Sequence, residues 1–543
     1  MPTTPVPSRV SCRWRKSSSR CATSPSMPRS STPTSWRWLP THLWRSTSSR
    51  GWTAPGRWPR RPRPPEAAPG LAPLCSTLSL GREWPADSRD RRNFPPVRRA
   101  DRKGRSDMRW NLISVRWAGV AVLLVLLALA PAGAQHTIIH AGRLVDVATG
   151  TVTSNVDILV LGNLIEKVGP DLDVPDGARE IDLRHRTVLP GLIDSHAHIC
   201  LQPEDSVRSP VLYKTHPYRT LEAMRAARLD LLAGFTTLRD LDNEGADMAD
   251  IAVRDAIRAG MYPGPRLFVS GWALTITAGH MNLTGLRPAV DRKLDQLAIL
   301  VDDRDAMVAA IRDQVKDGVD FIKIYATGTM RHIDRDTLEP LSQLSIEEVE
   351  LMVREAARWR MDVAAHAYGG DGAYNAVAGG VRSIEHGMFL DDRTLDLMVE
   401  KGTFWSPTMT VYLPDEGADA EETEFRNRVV QRHRDTFRRA MAKNVKIAFG
   451  TDVGSLPHGE GWQELQRMAD YGMAPMDILR SATLVGAELL RREDELGRIA
   501  AGYRADLIAV AGKPDQDTAA LRHVSFVMVD GRVVKQDGSA VPD

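Results

Sequence analysis

Val188-Leu189-Pro190-Gly191-Leu192-Ile193-Asp194-Ser195-His196-Ala197-His198-Ile199 is an apolar run that ends on two histidines one residue apart. A run this short and this apolar reads as a strand covered on both faces. Alternate residues of a strand share a face, so the two imidazoles point the same way. Seven further runs have the same character: Phe235–Leu241, Arg266–Ser270, Phe321–Ala326, Val363–Ala367, Ser383–His386, Thr403–Pro407 and Lys446–Thr451. Amphipathic stretches lie between them, at Thr220–Leu232, Arg304–Val315, Ile346–Trp359, Arg393–Glu400 and Glu424–Ala442. Strands alternating with helices give a parallel sheet, and eight such units close into a barrel. The sequence predicts an α/β protein with a (β/α)8 TIM barrel over residues 188–489.

Outward from the barrel the pattern turns purely β. Residues 135–187 hold short runs such as Thr137-Ile138-Ile139 and Asp157-Ile158-Leu159-Val160-Leu161, parted by the turn residues Ala148-Thr149-Gly150 and Gly162-Asn163. Residues 490–543 hold Asp506-Leu507-Ile508-Ala509-Val510 and Val524–Val529. Neither piece can bury a core alone, so the two are expected to join in one small β-sandwich domain.

Residues 1–107 are a different kind of sequence. They carry 22 Lys+Arg against 6 Asp+Glu, while residues 108–543 carry 49 against 63. The near-neutral total therefore joins a segment of net +16 to one of net −14. The first segment also holds 17 of the 34 prolines and shows no helical or strand period. It cannot bury enough apolar area to offset its ordering entropy. Residues 108–134 then read as a signal peptide: Arg109 and Arg116, the thirteen apolar residues Ala118–Ala130, and a small-residue cleavage site at Ala132-Gly133-Ala134. Thirteen is too few for a comfortable membrane span. The expected reading is that Met108 is the start, that residues 1–107 are a non-native or disordered upstream extension, and that the mature protein is periplasmic or secreted. A genuine basic extension and an N-terminal membrane anchor are the rivals. A disulfide scaffold is excluded, because only Cys200 lies past residue 107. Nucleic acid is an unfit partner for the acidic, core-forming part.

Other polar groups fall at the C-terminal ends of the predicted strands, where barrel enzymes assemble their sites. Lys323 sits in Phe321-Ile322-Lys323-Ile324-Tyr325, His366 in Val363-Ala364-Ala365-His366-Ala367, His386 in Ser383-Ile384-Glu385-His386-Gly387 and Asp452 after Ala448-Phe449-Gly450-Thr451. A lysine flanked by isoleucines on a buried strand is costly unless paired or chemically used. Taken singly, each group also reads as a structural hydrogen-bonder, turn residue or ion-pair partner; six converging on one rim point to metal chemistry. Cys200 reads as a small buried residue, Glu416–Glu424 as a solvated loop or lid, and Arg432, Arg434, Arg438 and Arg439 as a solvated helix face.

These residues resemble the amidohydrolase superfamily, in particular its imidazolonepropionase-like and Xaa-Pro-dipeptidase-like branch, which includes ochratoxin-hydrolysing enzymes. The resemblance covers residues 135 to about 540. It is carried by Leu189-Pro190-Gly191-Leu192-Ile193-Asp194 before the histidine pair, Gly234-Phe235-Thr236-Thr237-Leu238-Arg239-Asp240, Ile384-Glu385-His386-Gly387, and Gly497-Arg498-Ile499 with Gly502-Tyr503-Arg504-Ala505-Asp506-Leu507. It implies two divalent metal ions, usually zinc. His196, His198 and Asp452 would hold one, His366 and His386 the other, and Lys323, carboxylated by CO2, would bridge them. Single-metal branches, which include the true imidazolonepropionases, usually lack this lysine.

The resemblance further implies hydrolysis by metal-activated hydroxide, with Asp452 as proton carrier and His280, in Thr277-Ala278-Gly279-His280, near the scissile carbonyl oxygen. Tyr325 shares the inward face with Lys323 and is a candidate for binding a substrate carboxylate; core packing is its other reading. The expected substrates are dipeptides or N-acyl amino acids, ochratoxin-like amides included. A lactone, phosphotriester or cyclic amide on the same metal pair is the enzyme rival, and a metal-free interaction protein the other. No membrane span is expected after signal cleavage. Relatives commonly assemble, so a homo-oligomer is expected.

Overall fold

The computed structural model describes residues 135–205, 209–282, 297–415 and 417–542. The predicted extension and signal peptide, residues 1–107 and 108–134, lie outside them.

Three ladders make the fold. The first runs β1 (His136–Asp146), β2 (Thr151–Leu161), β3 (Leu164–Gly169) and β4 (Arg179–Pro190), then resumes at the far end of the chain with β15 (Leu507–Val510), β16 (Val524–Val529), β17 (Arg532–Gln536) and β18 (Ser539–Ala540). The two β segments that flank the barrel do join, and their strands form one continuous hydrogen-bonded order of eight. The seam is β4, parallel to β1 on one side and antiparallel to β15 on the other. One face of this sheet buries its own core, with Ile139, Ile158, Val160, Leu183, Leu507, Ala509, Phe526 and Met528.

The first predicted barrel strand is in fact divided. Val188, Leu189 and Pro190 belong to β4 and pair with Ala509, Ile508 and Leu507. Gly191 is the crossing point: its amide donates to Asp506 O at 2.9 Å, and the next amide, of Leu192, donates to Gly234 O at 3.0 Å. A Cβ at Gly191 would stand 2.1 Å from Thr236 Oγ1, so only glycine permits the switch from one sheet to the other.

β5 (Leu192–Ala197), β6 (Phe235–Asp240) and β7 (Arg266–Val269) form a parallel three-stranded ladder. The third ladder is also parallel: β8 (Leu274–Thr275), β9 (Ile299–Leu300), β10 (Ile322–Tyr325), β11 (Val363–Gly369), β12 (Ser383–Phe389), β13 (Phe404–Ser406) and β14 (Lys446–Ile447). The short pair β8–β9 was not expected from sequence. Backbone hydrogen bonds cross both gaps between the parallel ladders. Asp320 N donates to Val269 O at 2.8 Å, ahead of β10, and Ser195 N of β5 donates to Phe449 O at 2.9 Å, beyond β14. That is the strand order a (β/α)8 barrel requires.

Helices cover the parallel strands. Arg304–Asp317 is capped by Asp303, Ile346–Arg358 by a Ser345/Glu348 capping box and Asp392–Lys401 by Asp391. The helix Ala420–Ala442 begins four residues before its predicted start, because the Asp419 carboxylate accepts from Glu422 N at 2.8 Å. The described part of the acidic run is therefore largely a first helical turn, where Glu421 and Glu422 complement the helix dipole. Of the four arginines expected in solvent, Arg432 and Arg438 are exposed, whereas Arg434 and Arg439 are half-buried. Arg439 is held by Asp392 at 2.8 Å and the Leu390 carbonyl at 2.7 Å. No helix among the described residues is long and apolar enough to cross a membrane. Cys200 is a free, buried thiol.

Candidate metal centre

His196 lies in β5 and His198 directly follows its last residue, and their Nε2 atoms lie 3.3 Å apart. Asp452 completes the group, its Oδ1 being 3.2 Å from His198 Nε2 and 3.6 Å from His196 Nε2. One ligand atom from each of the three lies within 4.8 Å of the others. The segment bearing Asp452 can lie against β5 because residue 450 is glycine. A Cβ there would stand 2.0 Å from Ser406 Oγ and 2.8 Å from His196 Cβ.

His366 on β11 and His386 on β12 have ring centroids 4.6 Å apart, and His386 is 4.7 Å from the His196 ring. His386 (φ 70°) and Asp452 (φ 62°) both sit in the left-handed region. For a residue with a Cβ that conformation costs roughly 1–2 kcal/mol, so the surroundings must impose it. At His386 they do: Thr408 Oγ1 is 2.8 Å from its Nδ1, and Trp405 Nε1 donates to its carbonyl at 3.0 Å. Lys323, from β10, is 1 % exposed, and its charge is felt at His196, His366, His386 and Asp452. All six sequence-selected groups thus converge. Five of them line one cavity of about 330 Å³, with His196 packed behind. A larger open groove of about 660 Å³ along the helix Ala420–Ala442 carries none of them.

Electrostatics favour the lone-pair-bearing form of every member of this set but His198. Burial pushes the His196 ring down to about 4, against the hydrogen bond to Glu385. Burial, and then the charge of neighbouring groups, holds His366 and His386 well below the usual imidazole range. The Lys323 amine is lowered by burial. Asp452 stays below the usual carboxylate range in spite of burial, because the His198 hydrogen bond and the charges around it outweigh desolvation. His198 alone moves upward, to about 9: burial lowers it, and the Asp452 hydrogen bond with the Glu244 and Asp452 charges overcomes that. The outer nitrogens are positioned as in metal sites, where a ligating ring is oriented by a second hydrogen bond. His196 Nδ1 is 2.9 Å from Glu385 Oε2 and His386 Nδ1 is held by Thr408. His198 Nδ1 lies 3.4 Å from Glu244 Oε1, off hydrogen-bond geometry. This donor set suits a borderline divalent ion.

His280 also lines the cavity, stacked 4.3 Å from the Tyr325 ring and 4.1 Å from His366. Burial, then the Lys323 charge, takes it to about 3, so the ring is neutral. Tyr325 reaches the cavity wall, but its hydroxyl donates to Asp242 Oδ2 at 2.5 Å. The carboxylate-binding role expected of Tyr325 therefore meets a hydroxyl already committed to a carboxylate of the protein.

Sequence reasoning missed Glu244, Tyr368, Tyr412 and Arg426, all on the cavity wall, and the orienting role of Glu385. Glu385 had a signal, since it adjoins His386 on an apolar strand. Arg426 and Tyr412 had none, because they come from a helix and a loop well separated from the ligands in the chain.

The amidohydrolase family profile matches residues 187–534. The chain belongs to the amidohydrolase family. It is a hydrolase of amide and peptide C–N bonds. This amidohydrolase is 30 % identical over 438 residues to the ochratoxinase of Aspergillus niger, covering 75 % of this chain and 88 % of that one. Among solved structures it resembles a Xaa-Pro dipeptidase with methionine bound in its active site, at 35 % identity and a TM-score of 0.67, over 74 % of this chain and 100 % of the other. A prolidase complexed with N-methylphosphonate-L-proline matches at 30 % identity and a TM-score of 0.66, over 74 % and 100 %. These neighbours imply a TIM-barrel fold, in keeping with the strand order above.

Proposed function

We propose that this amidohydrolase is an exported, binuclear metalloenzyme that cleaves the amide bond of dipeptides or N-acyl amino acids bearing a free carboxylate. Ochratoxin-like amides fall within that class. The observation that carries the reading is the convergence of four imidazoles, one buried amine and one carboxylate on a single cavity. His196, His198 and Asp452 would hold one ion, and His366 and His386 a second. Zinc is the ion that suits them best. Lys323 is fit for carboxylation: burial favours its neutral amine, which captures CO2 by forming an N–C bond and releasing a proton.

Divalent ions, when bound, supply Lewis acidity toward the scissile carbonyl and bring the pKa of water near neutrality. The chain's own groups do the rest. Asp452, kept ionised, accepts the proton of the attacking water and passes it to the leaving amine. His280, kept neutral, offers an N–H to the carbonyl oxygen as it gains charge. Arg426, 19 % exposed on the cavity wall, offers a guanidinium to the substrate carboxylate. Bound methionine in the dipeptidase and the proline analogue in the prolidase support a product with a free amino-acid carboxylate.

Metal analysis of the mature protein, joined to a screen of dipeptides and N-acyl amino acids, tests this. About two divalent ions per chain and turnover of such amides are expected. A metal-free active enzyme, or turnover of lactones or phosphotriesters alone, overturns it. Export beginning at Met108 belongs to the same reading, and a native N-terminus near Gln135 is expected on sequencing. Assembly as a homo-oligomer is checked by light scattering.

A further inference from the structure

Three strands connect the catalytic cavity to a second one at their other ends. Lys323 near the start of β10, and His366 and His386 midway along β11 and β12, line the first cavity. The residues just before these strands, Phe321, Asp362 and Arg382, line a separate cavity of about 240 Å³. From Asp362 to His366 is about 13 Å of strand, at about 3.3 Å per residue. From Phe321 to Lys323 it is about 7 Å, so the second cavity lies at the N-terminal ends of these strands, distinct from the first but one buried layer away from it.

Its wall is crowded with guanidiniums. Arg239, Arg360, Arg382, Arg491 and Arg492 all line it, against the carboxylates of Asp320 and Asp362. Most of that negative charge is already used. Asp320 is held by Arg254 at 2.9 Å and Arg258 at 3.1 Å, both outside the lining. Asp362 accepts from Nε and Nη2 of Arg491, at 2.7 and 2.9 Å. Arg239 is matched by Glu385 at 3.1 Å and Arg492 by Glu495 at 3.1 Å. Arg382 has only a long approach to Asp362, 3.9 Å, and spends its hydrogen bonds on the carbonyls of Glu488 and Leu489. Burial and the like charge of Arg491 both act against the Arg382 cation. Arg360 adds an exposed guanidinium at the mouth. Phe268, Phe321 and Leu490 supply apolar walls of lower dielectric, where an unneutralised charge interacts more strongly.

We propose that this second cavity binds a free tetrahedral oxyanion of the phosphate or sulfate type. Such an anion presents several acceptor oxygens to planar, multi-donor guanidiniums, and it relieves the Arg382–Arg491 repulsion. The volume admits one such ion with its hydration.

Calorimetric titration of the metal-loaded protein with sulfate, against chloride at equal ionic strength, tests the site. Wild type should show one saturable site. Arg382→Gln should weaken it by about tenfold or more, the scale of a lost charge-assisted hydrogen bond. Arg360→Gln, at an exposed position that leaves folding intact, should weaken it several-fold. Both variants should keep their turnover. The absence of saturable sulfate binding by wild type overturns the site. Equal affinity in all three proteins also overturns it, because the anion would then sit elsewhere, at the metal centre included.

Discussion

Glu385 Oε2 stands 2.9 Å from Nδ1 of His196, both side chains being fully buried. The other oxygen of Glu385 accepts from Arg239 at 3.1 Å and from Ser383 at 2.5 Å. The Arg239 charge is the largest of the influences that bring the Glu385 carboxyl down to about 2 against burial. A permanent carboxylate therefore fixes which nitrogen of His196 faces the cavity. Glu385→Gln should lower metal affinity by about 10–100-fold, the usual effect of losing such a support. It should also destabilise the fold by roughly 3–5 kcal/mol, since the Arg239 cation loses its buried partner. Metal analysis and denaturant unfolding check the two effects separately.

Lys323 poses the opposite case, a buried amine whose neutral form is favoured. Lys323→Ala should remove most bound metal and depress hydrolysis by more than about 100-fold, exceeding the effect of a merely supporting group. Cooperative unfolding should survive, because the substitution deletes a buried polar group from an otherwise apolar strand. Full activity in this variant would refute the bridging role.

A pH effect should arise away from the metal centre. His458 Nδ1 is 2.9 Å from Asp230 Oδ2, and its Nε2 is 3.0 Å from Leu201 O. Burial opposes the imidazolium, but the Asp230 charge and these hydrogen bonds leave its pKa raised above the ordinary 6.5. Above pH 6.5 the folded state then holds a proton that the unfolded chain has released. The stability His458 contributes is fully present below 6.5 and is lost as pH rises through its folded-state pKa. His458→Gln should flatten the fall of Tm on the alkaline side of pH 6.5, measured in scans at fixed ionic strength. An unchanged slope would remove His458 from the account.

His280 and Lys323 differ in what their loss should leave behind. The His280 ring touches Tyr325 and His366 but stands outside the ligand set. His280→Ala should lower kcat by about 100-fold, as when one oxyanion donor is removed. Metal content should hold. Unchanged turnover would make the ring a bystander.

The six groups that converge on the cavity were legible in the sequence because their signal is local. His196 and His198 are spaced by two residues at the end of one apolar strand, and Lys323, His366, His386 and Asp452 each sit in or directly after an apolar run. The start of the helix at Ala420 was missed, although Asp419 and Glu422 have cap spacing, because the acidic run read as a loop. What was illegible depended on distant pairing. That β4 hydrogen-bonds β15 across more than 300 residues follows from no nearby residue. Nor does any local pattern bring Arg426 to the cavity that His386 lines.

Arg426 is the residue on which substrate choice should turn. Its Nε donates to Glu422 Oε1 at 2.9 Å, but Glu422 is shared with Arg335, 2.7 Å from its other oxygen. One carboxylate divided between two guanidiniums leaves Arg426 with positive charge to offer, and that charge is felt at Tyr368 and Tyr412 across the cavity. A substrate carboxylate placed there gains a charge-assisted bond of about 1.5–3 kcal/mol. Arg426→Met should therefore raise KM for dipeptides and N-acyl amino acids by roughly 10–100-fold, the same energy expressed as a binding ratio. The corresponding C-terminal amides, which lack the negative charge, should be turned over by variant and wild type with similar KM. Thermal stability should fall little, since only one helical i,i+4 pair of about 0.5 kcal/mol is lost. If acids and amides lose equally, Arg426 shapes the cavity without reading the carboxylate. If kcat falls while KM holds, its contribution is to the transition state and not to substrate binding.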